Sequence, residues 1–318
     1  MRAHRLSSVL LHGGLAAGLI AILAGVSGCG KADPQVDFSR GEVAAVPAAA
    51  STPSSSVLRI AVAPVLSALP TSGLYDQLAE YLAQKLDRPV ELVLGKTYAE
   101  INDLIRSGEV AVAFVCTNPY VEGREDFGME LLVVPQVDGE TVYYSLLIAG
   151  PEWKDRSLAD LRGETFAFSD PLSNSGRLAP VYELARLGES PDTFFERTIF
   201  TYSHDSSIRA VAQGVVTAAA VDSLVFSYMS TTDPETIAKV EVLERWGPYG
   251  ISPVVVHPRL EPQVKAQLRD VFLGMAQDAE GRVILDQLAI DRFVPGDDGA
   301  YDSVRKMRTY IRNRGMEP

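Results

Sequence analysis

The sequence has few of the residues that cross-link a fold or bind metals. Among its 318 residues are two cysteines, Cys29 and Cys116, and four histidines. Cys29 closes the N-terminal leader described below, so no intramolecular disulfide is expected and packing must stabilise the fold. Only His204 and His257 lie beyond that leader, which excludes a histidine-rich metal site. We therefore expect neither a metal nor another cofactor.

Positive charge is scarce as well. The chain has 29 Lys and Arg residues against 41 Asp and Glu residues, a formal net charge of −12. Such a balance argues against nucleic acid as the main partner. A small anion is not excluded, because the N–H groups at a helix start can outweigh a distant net charge.

Long apolar runs are also missing. Leu10–Val26 is apolar but is interrupted by glycines and by His12, so it is too short for a membrane span. Arginines precede it and Ser27-Gly28-Cys29 follows it, which is the layout of a secretory signal. A cysteine after Ser-Gly resembles the lipobox of bacterial lipoproteins. We expect residues 1–28 to be removed and Cys29 to carry the only membrane anchor, on the periplasmic or cell-surface face; an ordinary signal with a chance cysteine is the alternative.

Residues 29–56 are rich in Ala, Pro and Ser and poor in large apolar side chains. A segment of this composition cannot bury enough surface to offset its ordering entropy, so it is expected to be a flexible tether. Globular composition begins at Val57. About 260 residues remain, enough for one large domain or two lobes.

From Val57 onward, apolar runs alternate with segments of helical periodicity. Thr97 is a predicted N-cap, with Glu100 completing a capping-box pattern, and Gly108 ends that helix. The β-α-β-α-β order implies an α/β lobe with right-handed crossovers. The predicted strands of this first block are 57–63, 90–94 and 110–115, with helices at about 72–87 and 98–107.

A second block repeats the architecture. It predicts strands at 143–149, 164–169, 198–202 and 216–221, with helices at about 176–187, from His204 to Gly214 and from Asp222 onward. The strand 251–256 follows, and the remainder is expected to be helical at about 261–288 and 300–313. The predicted fold is therefore α/β and two-lobed, with lobe one at 57–142 plus 251–318 and lobe two at 143–250.

Three predicted helices begin with polar side chains directly after a strand. They start at Thr97-Tyr98, at Ser173-Asn174-Ser175 and at His204. Ligands of open sheets bind at the carboxyl ends of strands, and the free N–H groups of a first helical turn suit an oxyanion. Any one of these motifs could be an ordinary N-cap, but three at neighbouring strand ends favour a binding site.

Several stretches resemble a known family. The similar stretches are Ser157–Gly176, which ends in Asp-Pro-Leu-Ser-Asn-Ser-Gly, Tyr202–Gly214, Tyr143–Ser145 and Val221–Ser223. The family is that of the PhnD-like substrate-binding proteins of phosphonate, phosphite and phosphate ABC transporters. The resemblance covers about 57–307. It implies a type II periplasmic-binding fold whose two lobes close around a small oxyanion, and a monomeric protein that works with an ABC permease.

The resemblance also implies site residues and a ligand class. Asn174 stands where the family usually has Thr, so the detailed geometry is open. Gly250–Pro253 lacks the acid that meets the ammonium group of aminoalkyl phosphonates, so we expect phosphite, phosphate or a small phosphonate without an amine. Asp222, if it faces the cleft, would distinguish a protonated oxyanion from a fully ionised one. The implied oxyanion ligands are Tyr98, Tyr143, Ser173, Asn174, Ser175 and His204.

Cys116 leaves an alternative open. It follows a predicted strand and should lie near the cleft, either as a small buried hydrophobe or as a thiol that contacts a soft oxyanion such as arsenite. The second case would make the chain a sensor that partners a histidine kinase, as some PhnD-like proteins are. Ser175, His204 and Asp222 could be imagined as a hydrolytic triad, but Ser175 lacks the Gly-x-Ser-x-Gly elbow, so an enzyme is not expected.

Overall fold

The computed structural model describes residues 57–65 and 68–317, with the backbone only at 68–72 and 74. The expected signal segment 1–28, the lipidation residue Cys29 and the tether 29–56 lie outside the described residues. The described residues belong to one structural unit.

The strands are β1 (Leu58–Val62), β2 (Val90–Leu94), β3 (Val112–Phe114), β4 (Glu130–Gln136), β5 (Val142–Ala149), β6 (Thr165–Phe168), β7 (Arg197–Phe200), β8 (Ala218–Asp222), β9 (Glu241–Gly250), β10 (Val254–Val256) and β11 (Arg292–Val294). The α-helices are α1 (Ala68–Leu86), α2 (Tyr98–Ser107), α3 (Thr117–Phe127), α4 (Ala179–Arg186), α5 (Pro191–Phe194), α6 (His204–Ala212), α7 (Ser223–Thr232), α8 (Pro234–Ile237), α9 (Pro262–Gly274), α10 (Ala279–Gln287) and α11 (Asp302–Arg312). A π-helix, Asn174–Leu178, leads directly into α4.

The first sheet has the strand order β11-β4-β10-β3-β1-β2. Strands β1, β2 and β3 are parallel, and β10 lies antiparallel between β3 and β4. Ile60 and Ala61, neighbours on β1, pack into different apolar clusters on the two faces of the sheet. Burial on both faces explains why β3 is apolar throughout and β1 is apolar apart from Arg59.

The second sheet has the order β7-β6-β8-β5-β9. Its parallel strands β6, β7 and β8 are joined by the antiparallel strand β5, which also pairs with β9 at the edge. Two short segments, 137–141 and 251–253, connect the sheets. They are hydrogen-bonded to each other, because Ile251 N donates to Thr141 O at 3.0 Å.

Most of the predicted elements are confirmed, and Thr97 caps α2 by accepting from Glu100 N at 3.1 Å. The strand predicted at 251–256 is wrong for residues 251–253, which form the connection between the sheets, and the helix at 261–288 is two helices separated by a 3₁₀ turn. The sequence patterns missed α3, β4, β9 and β11. Pro119 and Gly123 obscure α3, and Gly247 and Pro248 obscure β9, an edge strand where proline is tolerated.

Candidate functional site

The predicted ligand-binding residues lie close together between the two sheets. Each of them is at most 3% exposed. Hydrogen bonds link several of them: Asn174 Nδ2 donates to Tyr143 Oη at 2.9 Å, and Asp222 N donates to His204 Nδ1 at 3.1 Å. The set comprises Tyr98, Cys116, Tyr143, Ser173, Asn174, Ser175, His204 and Asp222.

The helix after β6 begins with a π turn. Ser173 caps it, accepting from Gly176 N at 3.0 Å, and Leu178 N donates to Ser173 O, five residues back. The sequence pattern predicted an ordinary helix from Gly176 and missed this turn. A π turn leaves one more N–H group without an intrahelical acceptor than an α-helix does, and such turns are frequent at functional sites.

A second helix start faces this one. Cys116 is the N-cap of α3, and its side chain makes no capping hydrogen bond. The nearby backbone N–H groups of Thr117, Asn118 and Asn174, the last from the opposite sheet, influence the thiol electrostatically. They lower the thiol pKa, but burial raises it more, to about 11. The thiol is therefore protonated near neutral pH, and it lies between the two helix starts.

At the other two predicted helix starts, the first N–H group donates to an acceptor within the protein. Tyr98 N, at the start of α2, donates to Asp170 Oδ2 across the sheets at 3.1 Å, and His204 N, at the start of α6, donates to Val65 O at 3.1 Å. The three predicted helix starts do lie together, but the first N–H groups of α2 and α6 already have acceptors within the protein. The facing pair is the π turn and α3, whose start the sequence reasoning did not recognise.

Three of the predicted ligand-binding residues have a buried polar atom that makes no hydrogen bond to any described residue: Tyr98 Oη, Asn174 Oδ1 and Ser175 Oγ. Ser169 Oγ, next to Gly176, is a fourth such atom in this region. An unpaired buried polar group costs about 1–3 kcal/mol, so such groups are uncommon and call for an explanation. Burial raises the pKa of Tyr98 well above its usual value, so its hydroxyl keeps its proton. The three atoms offer two hydroxyl donors and one amide acceptor to a bound group.

His204 is held as a neutral imidazole. Burial lowers its pKa to about 4. Nδ1 accepts from Asp222 N, so the ring hydrogen is on Nε2, which faces Ser173 Oγ at 3.4 Å. Ser173 Oγ thus accepts from both His204 and Gly176, and its own hydrogen remains free to donate. In this arrangement His204 acts on the site through Ser173.

Asp222 ends β8 and caps α7, its Oδ1 accepting from Leu224 N at 2.7 Å. Burial raises its pKa to about 7. Within residues 57–65 and 68–317, no lysine or arginine forms an ion pair with it. Its side chain points to the α7 start, and only its backbone contacts His204, so Ser175, His204 and Asp222 do not form the chain of side-chain hydrogen bonds that a hydrolytic triad requires.

Sequence reasoning missed three supporting residues. Asp170 lies within the family-like stretch but was not assigned a role. Asn118, in the first turn of α3, donates through Nδ2 to Leu172 O at 3.0 Å and accepts from Arg308 Nη1 at 2.6 Å. Arg308 is buried on α11, and only the fold brings it to the site.

Neither a metal-binding cluster nor a membrane-spanning helix is present in the described part of the chain. No group of three or more His, Cys, Asp or Glu side chains is arranged to hold a metal ion there. No described helix combines the length and apolar character needed to cross a membrane.

Comparison with known proteins assigns the family. The model of the family described as "ABC transporter, phosphonate, periplasmic substrate-binding protein" matches residues 60–301. The chain belongs to this family. As a phosphonate-type periplasmic substrate-binding protein, it binds a small ligand outside the cytoplasm and works with an ABC permease. It is a transport protein and not an enzyme. The expected α/β type II fold is confirmed.

Individual relatives agree with that assignment. A curated relative, the "Phosphate-import protein PhnD" of Mycolicibacterium smegmatis, is 28% identical over 272 residues, covering 78% of this chain and 84% of the relative. A binding protein of a Pseudomonas aeruginosa ABC phosphonate transporter superposes with a TM-score of 0.76 at 24% identity, covering 81% of this chain and 87% of that chain. PhnD1 from Prochlorococcus marinus, solved with methylphosphonate, gives 0.74 at 20% identity, with 80% and 98% covered.

Proposed function

We propose that this substrate-binding protein captures a small phosphorus oxyanion without an amine, such as phosphate, phosphite or methylphosphonate, between the π turn and the start of α3. The observation that carries the proposal is the cluster of buried polar atoms without partners, Tyr98 Oη, Asn174 Oδ1 and Ser175 Oγ, beside the N–H groups of both helix starts. Helix starts bind oxyanions through such N–H groups.

The donors and acceptors favour an oxyanion that keeps a proton. Asn174 Oδ1 is an acceptor and can pair only with a donor, which the hydroxyl of a singly protonated oxyanion supplies. Oδ1 of Asp222 caps α7, so only Oδ2 of this carboxyl, whose pKa burial raises to about 7, would accept from such a hydroxyl when ionised. Phosphate monoester groups have a second pKa near 6, so phosphorus oxyanions are partly protonated at neutral pH. Sulfate has no proton to donate there, and we expect the site to reject it.

The names of the relatives fit this ligand class. The Mycolicibacterium smegmatis relative is named for phosphate import, and the Prochlorococcus marinus structure holds methylphosphonate. Both are small phosphorus oxyanions without an amine.

The proposed capture involves two lobes, 57–142 plus 251–318 and 143–250, which close about the connections 137–141 and 251–253. The chain acts as a monomer held at the membrane by a lipid on Cys29, with residues 29–56 as the tether. Metabolic labelling with a radioactive fatty acid should mark the wild type and leave Cys29→Ala unlabelled. Labelling of the variant would contradict anchoring through Cys29.

Arsenite sensing with a histidine kinase remains the competing proposal, and the position of the Cys116 thiol between the helix starts is its only support. Cys116→Ser separates the two. If phosphorus is the ligand, the variant should bind phosphate or phosphite within a few-fold of the wild type. Arsenite binding to the wild type that disappears in the variant would favour sensing.

A thermal-shift screen tests the proposed ligand class directly. The panel is phosphate, phosphite, methylphosphonate, an aminoalkyl phosphonate, sulfate and arsenite. A ligand present at 100 times its dissociation constant adds about 2.7 kcal/mol of stability. We expect a shift for at least one of the first three and none for sulfate. A shift for sulfate or arsenite alone would overturn the proposal.

A further inference from the structure

We infer that Cys116 is a site of oxidation through which the chain supplies its own oxyanion: a sulfinate at this position would occupy the binding site and exclude the ligand. The inference rests on the proposed oxyanion site. It starts from the surroundings of the thiol, which is buried at the N-cap of α3 and makes no capping hydrogen bond, although the backbone N–H groups of Thr117, Asn118 and Asn174 are near enough to lower its pKa. A protonated thiol is a weak acceptor, so three N–H donors exceed what it can use.

The unpartnered side chains give an independent reason to place negative oxygens here. Tyr98 Oη and Ser175 Oγ are buried donors without an acceptor in the described residues. Tyr98 interacts electrostatically with Cys116, and Ser175 follows Asn174, whose N–H group lies near the thiol. A cysteine sulfinate carries two oxygens that share one negative charge. The N–H and hydroxyl donors that would hold a ligand oxyanion can hold these oxygens instead.

The chemistry needs only a peroxide as oxidant. The thiolate sulfur attacks one oxygen of hydrogen peroxide, the O–O bond breaks, and the products are a sulfenate and one water molecule. A second peroxide oxidises the sulfenate to the sulfinate and releases another water. Each step oxidises the sulfur by two electrons and reduces one peroxide. The sulfinate is the stage at which simple thiols no longer reverse the reaction.

The arrangement of the sheets makes this oxidation depend on the ligand. Cys116 is fully buried between them, and burial raises its pKa to about 11, so little thiolate is present while the sheets are together. Two-lobed proteins of this kind expose their site when the lobes separate. Bound ligand should therefore protect Cys116, and the ligand-free protein should be the form that reacts.

Cys116→Asp tests the internal oxyanion without any oxidant, because a carboxylate has the shape and charge of a sulfinate. We expect the variant to lose phosphate or phosphite affinity by about a hundredfold or more, because the Asp carboxylate would already accept two of the charge-assisted hydrogen bonds that the ligand would otherwise accept. It should also melt above Cys116→Asn, the uncharged control of the same size. A Cys116→Asp variant that binds like the wild type, or melts below Cys116→Asn, would overturn the inference.

Peroxide treatment of the wild type gives a second readout. This readout tests the inference even when Cys116→Asp does not fold. Mass spectrometry of the peptide that contains Cys116 should show two added oxygen atoms in the ligand-free protein and less of this adduct in protein saturated with phosphite. Calorimetric titration of the same samples should show a loss of binding that follows the modified fraction. Absence of the adduct, or undiminished binding by the modified protein, contradicts the inference. A wild type that binds no oxyanion in the thermal-shift screen would instead refute the proposed function.

Discussion

Ser175→Ala should weaken ligand binding while leaving the unliganded protein at least as stable as the wild type. Ser175 is fully buried, and its Oγ makes no hydrogen bond within the described residues. Its backbone oxygen, which accepts from Ser145 Oγ at 2.7 Å, is unaffected by the substitution. The hydroxyl therefore contributes nothing visible to the unliganded fold.

The magnitude follows from that geometry. A hydrogen bond to a charged, desolvated oxygen contributes about 1.5–3 kcal/mol, which corresponds to a loss of affinity of about tenfold to a hundredfold. Removing an unpaired buried hydroxyl relieves part of a desolvation penalty of about 1–3 kcal/mol. The melting temperature without ligand should stay the same or rise.

Isothermal titration calorimetry with phosphate or phosphite, beside a melting curve without ligand, measures both quantities. Ser173→Ala is the informative companion, because Ser173 caps the π turn and faces His204; it should lose affinity and also about 1 kcal/mol of stability. Ser230→Ala, which removes an exposed hydroxyl on α7, should change neither. Unchanged affinity in Ser175→Ala would place the ligand elsewhere and refute the reasoning.

Three further predictions use the same assays. Tyr98→Phe removes a hydroxyl without a described partner, so affinity should fall about tenfold with no loss of stability; a stability loss alone would argue for a packing role. Gly176→Ala should reduce both binding and melting temperature, because a Cβ there would lie 1.9 Å from Ser169 Oγ and 3.0 Å from His204 Cε1; wild-type behaviour would show that the π turn adapts. Asp222→Asn should raise the free energy of unfolding above pH 7 by up to about 4 kcal/mol. The folded-state pKa of Asp222, about 7, lies above the unfolded value, so folding takes up a proton and stability falls as pH rises from about 4 to 7. His204, with its pKa lowered to about 4, has the opposite effect below about pH 6.5, and it has this effect in the wild type and in Asp222→Asn alike. The free energies of unfolding of these two proteins, measured by denaturant titration, should therefore converge near pH 4 and diverge toward pH 8. Parallel curves would refute the assignment.

The fold was largely predictable because apolar periodicity reports burial. Strand β8 is buried throughout, and β1 and β2 are apolar apart from Arg59 and Glu91, so these strands stood out, whereas β9 alternates irregularly around Gly247 and Pro248 and did not. Its place in the structure comes from pairing with β5, in which seven residues of that strand have partners on β9. A partner strand far away in the sequence can thus compensate for weak local propensity.

The site was predictable in its residues but not in its arrangement. Ser173, Asn174 and Ser175 form a recognisable motif, yet nothing local distinguishes a π turn from an α-helical start. Whether the N–H groups at a helix start are available to a ligand depends on residues from elsewhere in the chain. At the start of α2 the N–H group of Tyr98 already donates to Asp170, a contact that only the tertiary structure shows. The contact from Arg308 to Asn118 joins residues 190 positions apart and leaves no pattern in the sequence.

The position of β10 constrains the order in which the protein can be completed. This strand lies inside the first sheet, where Val254 pairs with Phe114, yet the whole second sheet precedes it in the chain. The first sheet therefore cannot join β3 to β4 until synthesis has passed the second. Closing so long a loop carries an entropic cost and is typical of slow folding. In a protein of a periplasmic family, a first sheet that is completed only by late residues is compatible with export of an incompletely folded chain.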